Sequence, residues 1–264
     1  IIMDTTWDNK VKALFNLEGK VAVITGGAGA LGEGVARGLA NYGVKVAVTG
    51  RTIATLEKTV QQVQDVGGEA IAVAGDMTDE AAVKALADQV VAVWGKVDFL
   101  INIAGIAIRH PAEAFDVNDF RKVMDINITG TFIPCKVFGE LFIQQGFGKI
   151  VNTSSVRAFA GHPGGYAAYG TSKGAINLLT KQLATEWAKY NINVNAVAPT
   201  IFWTPLTQEV LEDEKLKKIF LDRIPMGRAA VVEDMVGTVV YLCSPAANFI
   251  TGQVIYIDGG CTAG

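Results

Sequence analysis

Tyr169 and Lys173 stand four residues apart in Tyr169-Gly-Thr-Ser-Lys173. In a helix that spacing puts a phenol and an ammonium on one face. A phenol of ordinary pKa, about 10, is a poor base at neutral pH. A cation about 4 Å away, at an effective dielectric near 20, is worth roughly 4 kcal/mol, or about three pKa units. The expectation is a lowered Tyr169 pKa and a phenol that exchanges a proton with an alcohol or a carbonyl oxygen. Chance alone supplies ~0.4 Tyr–Lys pairs at this spacing in a chain of 264 residues with six tyrosines. The pair takes its weight from what stands upstream.

Upstream, the apolar run Val21-Ala-Val-Ile24 leads into Thr25-Gly-Gly-Ala-Gly-Ala-Leu-Gly32. Glycines let a backbone approach phosphates, and a helix N-terminus offers free N–H groups and the positive end of a dipole. A dinucleotide pyrophosphate is therefore expected against Gly26, Gly29, Ala30, Leu31 and Gly32; a tight strand-to-helix connection is the plain alternative. The next strand end reads Val48-Thr-Gly-Arg51. Enzymes that use NAD place a carboxylate there for the ribose hydroxyls. Here Gly50 occupies that place and Arg51 follows, which suits a 2′-phosphate, so NADP is favoured over NAD. A solvated arginine at a helix start is the alternative. Asp76, with Met77 after it, closes the third strand where an adenine would lie, or caps a helix.

The elements that must position these groups alternate along the whole chain. Val21–Ile24, Val44–Val48, Ala70–Ala74, Phe99–Asn102, Lys149–Asn152, Ile192–Val197 and Val254–Ile257 read as strands without polar alternation. Helical patterns lie between them, including Thr52–Val66 and Asp79–Trp94. Such strands belong to a parallel sheet covered on both faces. The expected fold class is α/β, a single doubly wound Rossmann-type domain with a mostly parallel seven-stranded sheet over residues 17–264. An N-terminal extension covers 1–16, and a helical lid over substrate covers 204–225, with an amphipathic surface helix as the alternative for the latter.

Bulk composition narrows the class. The net charge of −3 is spread over both signs, with no basic patch for nucleic acid. No uninterrupted apolar run reaches the ~18 residues that span a bilayer. The three cysteines, Cys135, Cys243 and Cys261, have no metal-type spacing, and their odd number fits a reducing compartment. Ile1 to Leu17 lack a continuous apolar stretch of signal type. A cytoplasmic protein with a small-molecule substrate, no bound metal, no nucleic-acid partner and no membrane partner is expected.

Taken in order, these motifs resemble those of the short-chain dehydrogenase/reductase family from about Leu17 to Gly260. Thr25–Gly32 resembles its TGxxxGxG turn, Asn102-Ile-Ala-Gly105 its NNAG, and Tyr169–Lys173 its YxxxK. Ser155 stands fourteen residues before Tyr169, and Asn127 sits in Ile126-Asn-Ile-Thr-Gly130. The resemblance implies that Tyr169 is the general acid/base, that Ser155 holds the reacting oxygen, and that Lys173 lowers the Tyr169 pKa and holds the nicotinamide ribose. Asn127 would hold a water that links Lys173 to solvent. Asn102, Ala104, Gly105, Pro199, Ile201 and Thr204 would line the cofactor, and the family habit implies a homotetramer. The chain departs from the pattern at Ala30, Ile103 and Thr200, and its glycine turn carries no basic residue.

The substrate side is read from Ile106-Ala-Ile-Arg109-His-Pro111, which resembles the GIIRRxP stretch of gluconate 5-dehydrogenases and related sugar-acid members. Arg109 could clamp a carboxylate, and Arg157 and His162 add cationic and polar character; loop solvation or a subunit contact is the alternative. The leading expectation is hydride transfer between a nicotinamide and a polyol, sugar acid or hydroxy acid. A 3-oxoacyl-thioester reductase is the rival enzyme, and a non-catalytic cofactor-binding protein is the rival of another class.

Overall fold

The computed structural model describes residues 5–205 and 207–263. Seven strands form one sheet in the order β3-β2-β1-β4-β5-β6-β7. They are β1 (Val21–Thr25), β2 (Lys45–Gly50), β3 (Ala70–Ala74), β4 (Phe99–Asn102), β5 (Gly148–Thr153), β6 (Ile192–Pro199) and β7 (Val254–Ile257). Every neighbouring pair is parallel, so the sheet is wholly rather than mostly so. The order reverses between β1 and β4, and a crevice for a ligand opens beyond the strand ends at such a point.

Because both faces are covered, successive strand residues go into different cores. Ala22 and Ile24 join one with Val35 and Leu39 of α2 (Ala30–Ala40), Leu56 and Val63 of α3 (Ile53–Asp65) and Val239 of α10 (Val232–Cys243). Val21 and Val23 join the other with Leu86 of α4 (Glu80–Trp94), Phe138 of α6 (Gly130–Gln145) and Leu183 of α7 (Ala167–Trp187). Ile176 and Leu179 of α7 face inward too and line the chain's own core. Gly34 and Gly38 bring α2 and α10 together, since a Cβ there would lie 2.0 and 2.4 Å from Val232 and Val236.

α5 (Val117–Met124), a π-helical turn (Asp125–Thr129) and α6 form one continuous helical run. By length and apolar composition this run could cross a bilayer, but half of its most apolar window is buried in the fold, and it carries the fully buried Asn127. It is a core helix. In the N-terminal extension α1 (Thr5–Lys12) is followed by a 3-10 turn at Ala13–Phe15. The segment expected to be a lid holds two short helices, α8 (Gln208–Glu212) and α9 (Glu214–Leu221). Leu206, at its start, lies outside the described residues.

Candidate active site

All the groups singled out above lie beyond the C-terminal ends of the strands. After β1, Gly26 takes φ +68°, and a Cβ on it would lie 2.8 Å from the Ala104 nitrogen. The glycine thus lets the turn after β1 touch the turn after β4. The Thr25 hydroxyl secures the same contact by accepting from the Ile103 and Ala104 N–H groups at 3.1 and 3.3 Å. Gly29 caps α2, with Ala30, Leu31 and Gly32 in the first turn and no side-chain cap. First-turn N–H groups lack intrahelical partners and suit an anion. A Cβ on Gly29 would meet only the Gly26 oxygen, at 3.5 Å, so the mouth of the turn is open. Ala30 in place of the expected glycine opens the helix without disturbing it.

Arg51 is exposed beyond β2, and among the described residues no carboxylate lies within 4.0 Å of it. Asp76 accepts from the Thr78 N–H at 2.9 Å and its hydroxyl at 2.8 Å. These two bonds, with Arg51 as a weaker influence, hold its carboxyl below the usual range. The helix cap on α4 is Asp79, which accepts from Ala81 N at 2.9 Å. Asp76 therefore shapes the strand end and does not cap the helix. Met77 is buried in the core, so its side chain is not at the crevice surface. The glycine cradle, the open helix N-terminus and the unpaired Arg51 fit a phosphorylated dinucleotide.

Asn102 corrects the sequence expectation in a similar way. Its side chain is buried and donates to Asn152 Oδ1 at 2.9 Å and Cys135 Sγ at 3.3 Å. It braces two strand ends from beneath and meets the crevice only through its main chain. Ala104 and Gly105 continue along the rim. A Cβ on Gly105 would stand 3.1 Å from Asn127 Oδ1 and 3.5 Å from Lys173 Nζ, so these three converge. Asn127 accepts from Ile106 N at 2.8 Å and donates to Ile106 O and Ser172 Oγ, both at 2.9 Å. With its amide committed, a water-holding role falls to its main-chain oxygen, which already accepts from Thr131 Oγ1 at 2.7 Å. The π-helical turn and the side chain both matter, because together they lock the β4 loop to the start of α7.

Tyr169 and Lys173 share the first turns of α7, as their spacing requires. Lys173 Nζ lies 5.6 Å from the Tyr169 ring centre and donates to Thr153 O at 2.7 Å. Burial brings Lys173 down to about 8. Burial also raises the Tyr169 pKa, opposed by the Ser155 hydroxyl and more weakly by Arg157. This reverses the lowering expected from the sequence, because the phenol is desolvated and the ammonium is bonded to a strand carbonyl. Ser155 itself accepts from Arg157 N at 3.2 Å at the head of a short 3-10 turn (Val156–Ala158). Pro199 ends β6 at the site, and its carbonyl accepts from Ser155 Oγ at 3.5 Å. Ile201 is tied to Ala230. Thr204 turns its N–H and hydroxyl to Thr207, each at 3.1 Å, and so secures the turn that leads into α8.

Arg109, Arg157 and His162 are brought together around Tyr166, a residue that the sequence reading passed over although it lies one helical turn before Tyr169. Arg109 Nη1 donates to Tyr166 Oη at 3.2 Å. The Tyr166 ring stands 6.0 Å from that of Tyr169.

With this geometry, the comparisons with known proteins fall into place. A family model described as enoyl-(acyl carrier protein) reductase matches residues 26–262. The 2-dehydro-3-deoxy-D-gluconate 5-dehydrogenase of Dickeya dadantii is 41% identical over 94% of this chain and 98% of its own. Gluconate 5-dehydrogenase of Gluconobacter oxydans is 37% identical over 94% and 97%. The crystal structure of a gluconate 5-dehydrogenase from Burkholderia cenocepacia, in complex with NADP and tartrate, superposes with a TM-score of 0.91 at 33% identity, covering 96% of this chain and 99% of that one. The chain belongs to the short-chain dehydrogenase/reductase family. It is a nicotinamide-dependent oxidoreductase that moves a hydride between its cofactor and a secondary alcohol or ketone.

Proposed function

We propose that the chain is an NADP-preferring dehydrogenase of sugar acids, with Tyr169, Ser155, Lys173 and Asn127 as its catalytic machinery. The convergence of Arg109 and Arg157, with the polar His162, around Tyr166 beside Tyr169 carries the substrate reading, because unpaired guanidinium groups at a reaction centre favour a carboxylate. The relatives named above point the same way. Gly26, Gly29, Ala30, Leu31 and Gly32 would hold the pyrophosphate, Arg51 the 2′-phosphate, and the rim from Ala104 to Gly105 the nicotinamide half, which supplies the hydride.

Tyr169, kept neutral by burial, gives its proton to the carbonyl oxygen in the reducing direction. Ser155 hydrogen-bonds the same oxygen. In the oxidising direction the phenolate is stabilised by the Ser155 hydroxyl, by Arg157 and by the Lys173 ammonium across the ring. Lys173, near 8, is suited to return the proton at neutral pH. The helical lid over 204–225 closes the substrate side. We further read the chain as a cytoplasmic homotetramer, because the outer faces of α6 and α7 form an apolar groove lined by the exposed Phe132 and Ile143 and the half-buried Trp187.

Nicotinamide absorbance tests the reading. The purified protein would be offered NADP or NAD with a sugar acid, the matching polyol or a 3-oxoacyl thioester. Turnover of the sugar acid with NADP is expected; turnover confined to the thioester would replace the reading with the carrier-linked one. Arg51→Ala should raise the KM for NADP about tenfold more than that for NAD, and equal effects would remove Arg51 from the 2′-phosphate.

A further inference from the structure

We propose that Arg223, which follows α9, is a specificity-determining residue: it joins Arg109 and Arg157 around Tyr166 to bind the substrate carboxylate, and that contact seats the α8–α9 lid. The inference deepens the sugar-acid reading and rests on it. Three elements far apart in the sequence supply the cations. Arg109 comes from the loop after β4, Arg157 from the turn after β5, and Arg223 from the lid.

The Arg109 and Arg157 guanidinium carbons lie 5.6 and 5.9 Å from the Tyr166 ring centre. Gly165 makes this approach possible, since a Cβ there would lie 2.7 Å from the His110 carbonyl oxygen, one residue beyond Arg109. The lid reaches the same spot through Phe220, whose ring stacks on His162 at 5.8 Å and 12° and whose carbonyl accepts from the Arg223 N–H at 3.3 Å, so Arg223 sits one turn from the stacked ring. His162 in turn meets the Tyr166 ring edge-on at 5.3 Å. Phe220, His162 and Tyr166 thus form a continuous aromatic bridge from the lid to the residue beside Tyr169.

The cations that gather at this bridge are Arg109, Arg157 and Arg223. Among the described residues no carboxylate lies within 4.0 Å of Arg109, Arg157 or Arg223. The neighbouring acids of the lid are engaged elsewhere: Asp222 pairs with Lys218 and Glu214 with Lys217. His162 is held below its ordinary pKa by burial first and then by Arg157, Arg223 and Arg109. Burial is also the main cause that lowers Arg157; Cys261 and Tyr166 favour its charge, and Arg223 opposes it more weakly. Like charges gathered in this way repel one another. An anion placed among them converts repulsion into charge-assisted hydrogen bonds, which a neutral polyol does not. An acid therefore interacts more strongly with the closed lid than with the open one, as a ligand that shifts a conformation must.

The test uses the full chain saturated with NADP, as wild type, Arg223→Ala and Arg223→Lys. D-gluconate and D-glucitol serve as probes that differ at one terminal carbon. In Arg223→Ala the acid-to-polyol ratio of kcat/KM should fall at least tenfold, chiefly through the KM for gluconate. Gluconate should slow amide hydrogen exchange over 208–221 in the wild type and not in Arg223→Ala, with partial recovery in Arg223→Lys. A ratio within twofold of wild type, or protection that persists in Arg223→Ala, would overturn the inference. Hydrogen exchange also separates the two readings. Arg223-dependent protection without turnover would retire the sugar-acid reaction and keep the lid contact, whereas a wild-type lid indifferent to gluconate would sink the lid contact.

Discussion

Tyr169 and Lys173 lie on one helical face, as their spacing required, yet burial rather than their mutual attraction governs both pKa values. A neutral phenol is a proton donor, so Tyr169→Phe should lower kcat for ketone reduction by about 10²–10⁴, with NADP binding read separately by fluorescence titration. Retained turnover would transfer the proton step to another group. Lys149 tells a related story away from the site. It is 1% exposed, donates to Ser244 O at 2.8 Å, and is lowered by burial to about 8. Between pH 8 and 10.5 the unfolded chain binds the proton that the folded chain releases, so the cost of burying this lysine is full below pH 8 and fades as pH rises. Lys149→Met should therefore add about 1–2 kcal/mol at pH 7, once about 2 kcal/mol for leaving the buried Ser244 carbonyl without its donor is subtracted from a desolvation cost of roughly 3 kcal/mol. Its advantage should shrink toward pH 10.5 in urea melts, and a pH-independent difference would show that desolvation is not the cause.

At the scale of elements, the site depends on turns that touch. Gly26 combines a positive φ with a Cβ path blocked by Ala104, so Gly26→Ala must displace the β4 loop or unwind the turn after β1. A loss of at least about 1 kcal/mol in stability and a tenfold or larger loss in NADP affinity are expected, by thermal melts and by titration. Tight cofactor binding in that variant would contradict the cradle. The π-helical turn at Asp125–Thr129 acts at the same scale, because it presents Asn127 to Ile106 and Ser172 at once. The Asn127 pattern was legible as a motif, but its bracing role was not, since both partners come from distant parts of the chain.

For the whole molecule, the exposed Phe132 of α6 beside Trp187 of α7 is the feature that bears on assembly. On the tetrameric reading proposed above, Phe132→Glu should lower the sedimentation coefficient from that of a tetramer toward that of a dimer or monomer. An unchanged value would move the subunit contact to another face. Across the same molecule, the described cysteines are all free, and Cys135 and Cys243 are buried thiols raised to about 12. They contribute to packing rather than to redox chemistry.

Continuous apolar strands, the glycine turn and the Tyr–Lys spacing are local properties, and local sequence was enough to determine buried strands in an α/β sheet, a glycine-lined helix start after the first strand and a helix that carries Tyr169 and Lys173 on one face. Strand order, all-parallel pairing and the inward turn of Asn102 and Met77 depend on which neighbours the sheet supplies, and only the tertiary structure decided them. The same holds for Tyr166 and Arg223. Their importance comes from proximity to Arg109, which follows β4, and to Arg157 and His162, which follow β5. Desolvation likewise depends on everything packed around a group, which is why the direction of the Tyr169 shift was set by the fold and not by its partner four residues away.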